Sequence, residues 1–241
     1  MKTRMIMSWS GGKDSAVALY ELIRSNDFEI VALLTTVSEE YKRISHHGVR
    51  EALLDAQAEA VGLPLAKVYL PSNNSHPCTN IVYEEIMGQV LDGYRAQGVT
   101  TVGFGDLFLA DLRAWREKNL AQLEMKGVFP LWKRDTTALA QEIISLGFKA
   151  YLSCVEGKVG PGFVGRPYDQ QLLRDLPATV DPCGEYGEFH SFVYDGPIFK
   201  IPVAVNVGQT VIRDGRYYAD LLPESLNAAE EPVAAAMPPI L

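Results

Sequence analysis

The residues best suited to chemistry come early, in "MSWSGGKDSAVALYELI", Met7 to Ile23. Gly11 and Gly12 are flanked by Ser10, Lys13, Asp14 and Ser15, with a short apolar run before them and a helical pattern after. Glycines let a backbone approach a ligand closely. The first amides of a helix are unpaired, and the helix dipole adds roughly half a positive charge at that end. Ser10 and Ser15 add hydroxyl donors and Lys13 a cation. An anion, most simply a polyphosphate, is the natural guest. The blander account, a tight turn with Asp14 resting at a helix start, leaves two glycines between two serines without a reason.

Other groups suited to chemistry lie downstream. Asp106 follows the apolar run "TTVGFG", where it is either a second carboxylate for the same crevice or a cap for the next helix. Gly103 and Gly105 leave room there for a ligand. Arg113 either meets a phosphate or substrate carboxylate, or makes an exposed ion pair with Asp111 or, at helical spacing, with Glu117. Trp115 reads as packing. Glu185, Glu188 and His190 crowd into "CGEYGEFHSF". If Phe189 opens a strand, Glu188 and His190 share a face, as a proton-transferring pair or a satisfied structural one. His46 and His47 follow the second apolar run. Neighbours on a chain rarely point to one metal, so one of them, His47, is read as a nucleotide contact or a helix cap. Cys78, Cys154 and Cys183 are odd in number and lack any C-x-x-C pair, which argues against a disulfide framework and a structural zinc.

Two familiar phosphate loops do not fit. G-x-x-x-x-G-K-[ST] fails because Met7 and Asp14 occupy two of its fixed positions, and no G-x-G-x-x-G is present. Ser-Gly-Gly-x-Asp-Ser directly after a first strand instead resembles the PP-loop of the ATP pyrophosphatases. Within them, "HHGVREALLDAQAEAVGLPL" (46–65), "GFGDLFLADLRAWRE" (103–117) and "DPCGEYGEFHSFVYDGPIF" (181–199) resemble the diphthine–ammonia ligase family, in a compact form similar to its bacterial branch. Tyr186 stands where that family usually has Asn, and Ser191 where Thr is commoner.

The resemblance implies an enzyme that adenylates a carboxylate or carbonyl with ATP, releasing pyrophosphate and then AMP as ammonia attacks. Ser8, Ser10, Gly11, Gly12, Lys13, Asp14, Ser15, His47 and Gly105 are then the nucleotide contacts. Asp106, Glu188 and His190 are the catalytic candidates, and Asp14 and Asp106 would hold a Mg2+ ion bridging phosphates. The acceptor is the diphthine of elongation factor 2 if the organism makes diphthamide, and otherwise a small molecule. Two competing accounts are a tRNA-modifying PP-loop enzyme and an ATP-binding protein without turnover.

Positioning these groups calls for a sheet. Apolar runs at Met5–Ser8, Ile30–Thr36, Ala66–Leu70, Thr100–Phe104, Val128–Leu131 and Ala150–Val155 alternate with amphipathic segments at Ser15–Ser25, Gly48–Val61, Thr79–Gln97, Leu112–Met125 and Thr137–Leu146. Thr136 or Thr137 is the expected cap of the last. This alternation predicts an α/β domain, a doubly wound, mostly parallel sheet of the adenine nucleotide alpha-hydrolase kind, over residues 1–156. A smaller C-terminal α+β module is expected over 157–224, with a short helix near Tyr168–Leu176 and strands from Phe189 onward separated by turns at Asp195-Gly196-Pro197 and Asp214-Gly215. Residues 225–241 read as a flexible tail.

The 241 residues are 47% hydrophobic, ample for a large core. No run of about 18 apolar residues offers a membrane span, and the N-terminus lacks the apolar core of a signal peptide, so a cytoplasmic protein is expected. A net charge of −8 counts against nucleic acid as a partner. A homo-oligomer is compatible with all of this.

Overall fold

Strand alternation decides which face each apolar residue serves. In β1 (Thr3–Ser8), Met5 and Met7 enter one core while Ile6, between them, enters a second. In β2 (Phe28–Ser38), Leu33 joins the first, and Ala32 and Leu34 join the other. A sheet that is apolar on both faces must be covered on both, which is the condition for parallel strands. The computed structural model describes residues 1–44, 47–71 and 78–224, and in it β1, β2, β3 (Leu65–Leu70), β4 (Thr101–Gly103) and β5 (Lys126–Val128) form a five-stranded, all-parallel sheet in the order β3-β2-β1-β4-β5. Helices α1 (Lys13–Ser25), α2 (Glu51–Val61) and α5 (Thr136–Ser145) pack on the first face, and α3 (Asn80–Arg95) and α4 (Ala110–Ala121) on the other.

The sixth expected strand goes elsewhere. β6 (Lys149–Glu156) pairs antiparallel with β7 (Phe189–Asp195) and β9 (Arg216–Pro223), and β8 (Val205–Arg213) completes a four-stranded sheet in the order β7-β6-β9-β8. Sheet membership therefore changes at Lys149, before the division expected after Glu156. A short helix, α6 (Gln170–Asp175), lies between β6 and β7. One core cluster runs from Met5 and Met7 through α1 and α2 to Phe192, Val193 and Leu221, so the two sheets share an interior.

Smaller differences have local causes. Asp135, not Thr136 or Thr137, caps α5, its Oδ1 accepting from the Ala138 amide at 2.8 Å; a carboxylate is the stronger acceptor at such a position. Helix α2 starts at Glu51 rather than Gly48 because the preceding residues fold back on themselves, Ser38 N donating to Arg43 O at 2.9 Å and Ile44 N to Val49 O at 2.9 Å. The expected flexible tail from residue 225, and His46, lie outside the described residues.

Candidate active site

The chain runs from β1 outward through β2 and β3, then returns to place β4 and β5 on the other side of β1. That reversal opens a crevice at the carboxyl ends of β1 and β4. A cavity of about 430 Å³ occupies it, within the range of small-molecule sites. The loop after β1 forms its floor, supplying Ser8, Ser10, Lys13 and Asp14. Asp106, Arg116, His47, Glu185, His190 and Ser191 are among its walls. An apolar annex of about 110 Å³ between α3 and α4 adjoins it, sharing Ser8, Leu34, Tyr83, Met87 and Arg116.

The loop is held in shape from three sides. Gly11 has φ +74°, and a side chain there would begin 2.7 Å from Gln57 Oε1. Gln57 on α2, fully buried, donates from Nε2 to the Gly11 and Val193 carbonyls and accepts from Trp9 Nε1 at 3.0 Å. Val193 N donates to Gly11 O at 2.9 Å, and Ser191 Oγ accepts from the Lys13 amide at 3.1 Å, so β7 is fastened directly to the loop. Ser10 Oγ accepts from Gly12 N at 3.3 Å and lies 3.2 Å from Ser15 Oγ, which donates to Gly12 O at 2.9 Å. Gly105 leaves no space for a ligand: a Cβ there would sit 2.8–2.9 Å from the backbone of Asp14 and Ser15. Its glycine is accounted for by the packing of the β4 loop against the start of α1.

Lys13 is not a free cation. Only 2% exposed, its Nζ donates to Asp14 Oδ2 at 3.0 Å and to the Cys183 carbonyl, and lies 5.2 Å from the centre of the Phe189 ring. Burial opposes its charge, but the Asp14 carboxylate keeps the ammonium protonated above the ordinary lysine range. Burial pushes the Asp14 carboxyl up against the pull of Lys13. Asp14 Oδ1 has no hydrogen-bond partner among the described residues. Asp106 is similar: its Oδ2 lies 2.8 Å from Arg116 Nε, yet neither atom makes an aligned hydrogen bond. Thr35 Oγ1 is the other partnerless buried atom among residues lining the cavity. Buried polar atoms are normally satisfied, so the bare oxygens of Asp14 and Thr35, beside the poorly aligned Asp106–Arg116 ion pair, mark a place shaped for a polar guest. Among the described residues no three His, Cys, Asp or Glu side chains converge as a metal centre. Asp14, with one bare oxygen, and Asp106, paired with Arg116, suit Mg2+, which takes only one or two protein carboxylates when phosphates and waters complete its shell.

The downstream candidates separate. His190 lines the cavity and its ring stacks on His47, centroids 4.5 Å apart. His47 Nδ1 is 3.2 Å from the Ser191 carbonyl. Glu188, expected to pair with His190, is 2% exposed and absent from the lining. Its two oxygens accept from the amides of Asp181 at 3.1 Å and Tyr186 at 3.0 Å, which shapes the 181–188 turn. Because Glu188 precedes β7, strand alternation does not govern where it points. Glu185 does line the cavity, its Oε1 accepting from Leu107 and Phe108 N, with burial raising its carboxyl above the ordinary range. Arg113 pairs with Glu117 at 2.8 Å, and Trp115 donates to Glu84 Oε1 at 2.8 Å. Arg116, one turn beyond Arg113, is the arginine at the site. Gln57, Thr35 and Arg116 were passed over in the sequence. Gln57 had left a trace there, a polar residue in the buried stripe of Leu53, Leu54, Ala58 and Val61.

Residues 1–127 match the family model for the diphthamide synthase N-terminal domain, and residues 135–220 that for its C-terminal domain. The diphthine–ammonia ligase of Danio rerio is 28% identical over 235 residues, covering 90% of this chain and 91% of that protein. The diphthine–ammonia ligase of Homo sapiens is 28% identical over 237 residues, covering 87% and 85%. Among solved structures, the U34-tRNA thiolase NcsA from Methanococcus maripaludis with its 4Fe-4S cluster aligns at a TM-score of 0.39 and 19% identity, over 61% of this chain and 58% of that one.

Proposed function

The chain belongs to the diphthamide synthase family, and from that premise we propose that it adenylates a carboxylate with ATP and passes the activated acyl group to ammonia. The observation that carries the reading is the pair of buried oxygens of Asp14 and Thr35 without hydrogen bonds, beside the Asp106–Arg116 ion pair, around a cavity floored by the Ser10–Ser15 loop. The hydroxyls of Ser10 and Ser15 and the start of α1 bind the departing phosphates. Asp14 and Asp106 would hold Mg2+, which neutralises phosphate charge when bound. Arg116, anchored over the Phe104 ring at 4.4 Å, faces the same anionic guest.

A carboxylate is a poor electrophile, so its oxygen attacks the α-phosphorus and the bond to the bridging oxygen of pyrophosphate breaks. Ammonia then attacks the acyl carbon, and AMP leaves with the former carboxylate oxygen. A ring nitrogen of His190 takes the proton that ammonium must lose. The acceptor follows the relatives: a diphthine-type carboxylate where the cell makes one, and a small carboxylic acid otherwise. We place the reaction in the cytoplasm, and no helix among the described residues is long and apolar enough to cross a membrane.

The test is ATP binding measured by calorimetry with magnesium. Wild type binds. Ser10→Ala weakens binding, and Asp14→Ala abolishes it. Unchanged affinity in both variants would remove the loop from the site.

A further inference from the structure

One wall of the cavity is held from the antiparallel sheet. Residues 38–44 leave the end of β2 and fold back against 47–50, which place His47 at the mouth of the Ser10–Ser15 loop, where its Cε1 lies 3.1 Å from the place a side chain on Gly12 would begin. Two arginines of this segment end on one carboxylate in the antiparallel sheet, that of Asp220 on β9. Arg50 grips it with both ends of its fork, Nε to Oδ1 at 3.0 Å and Nη2 to Oδ2 at 2.9 Å. Arg43 Nη2 reaches Oδ1 at 2.9 Å, while its Nη1 donates to the carbonyl of Gly48, the residue after His47, at 2.8 Å. Arg43 and Asp220 are each 1% exposed. Burying ions is costly, and apolar residues of similar size would hold two elements together at least as well. Apolar contacts lack direction, whereas this cluster fixes a peptide one residue from His47.

We propose that Asp220 is a positioning residue for His47, setting the histidine wall of the nucleotide cavity from the C-terminal sheet through Arg43 and Gly48. This rests on the reading of the cavity as an ATP site. The stack of His47 on His190 and the contact of His47 with the Ser191 carbonyl join that wall to β7, so the segment is clamped by both edges of the path β7-β6-β9. The consequence is that β9 tunes nucleotide affinity without lining the nucleotide cavity.

Two readouts separate positioning from mere support. In the ligand-free protein, labelled at its four histidines, Asp220→Asn shifts the ring resonances of His47 and His190, assigned with His47→Ala and His190→Ala. If those signals stay in place while the melting temperature falls, Asp220 only supports the fold and the proposal is overturned. In ATP titrations, Asp220→Asn weakens binding about tenfold when His47 is present and less than about twofold in a His47→Ala background, because coupled residues are non-additive. Equal losses in the two backgrounds overturn it. If Asp220→Asn does not fold, Arg50→Lys replaces it in both measurements, keeping the charge and breaking the two-pronged contact, with the same shifts expected at smaller size. A wild type that binds no ATP would refute the function, and the histidine spectra would still decide the role of Asp220.

Discussion

Asp14 Oδ1 is buried without a hydrogen-bond partner among the described residues, and Asp106 Oδ2, ion-paired with Arg116 Nε but not aligned to it, lines the same cavity. Such atoms are a standing cost unless a ligand satisfies them. Asp106→Asn should therefore lower pyrophosphate release by about 10²–10³-fold, as loss of one preorganised group at a developing charge does, with little change in melting temperature. A loss of stability without a loss of turnover would make Asp106 a partner of Arg116 and nothing more. The thiols offer a second check. Burial pushes Cys183 up to about 12 and Cys154 up to about 11, and both are enclosed, whereas Cys78 is partly exposed. Burial raises the Cys78 thiol too, but of the three it should react first with iodoacetamide at pH 8, as peptide mapping should show. At this scale the loop on the cavity floor was legible because its glycines and serines are contiguous. The choice between the two roles of Glu188 was not legible, because its amide partners, Asp181 and Tyr186, follow from a turn that no periodicity reports.

The helices and strands carry their own test. Gly88 sits inside α3 and lines the apolar annex, with nothing within 4 Å of the place a Cβ would take. Glycine in a helix interior costs about 0.5–1 kcal/mol relative to alanine, so Gly88→Ala should stabilise the protein by about that amount in denaturant titration. An unchanged or lower stability would show that the annex is not open as described. The five parallel strands were legible because each apolar run is followed by a periodic helical segment. β6 was assigned to the wrong sheet for a physical reason: "AYLSCV" is apolar on both faces and buried in either setting, so the residues alone do not choose a partner. The choice is made by β7 and β9, which lie well downstream.

Across the whole molecule, the Arg43–Asp220–Arg50 cluster ties the parallel sheet's loop to the antiparallel sheet. Burial works to raise the Asp220 carboxyl, but the two guanidiniums outweigh it and hold it below the ordinary 3.8. A carboxyl depressed in the folded state adds stability above its unfolded value and loses it as pH falls through the folded one. Asp220→Asn should melt well below wild type at pH 7, and the gap should narrow as pH drops below about 4. A gap that is constant with pH would mean the cluster contributes through packing. The central claim concerns which bond of ATP is broken, and product analysis tests it most directly. With ATP, magnesium, ammonium and a cell extract supplying the acceptor, AMP and pyrophosphate should form in equal amounts, and Asp14→Ala should form neither. Release of ADP and phosphate, or AMP and pyrophosphate unaffected by Asp14→Ala, would contradict it.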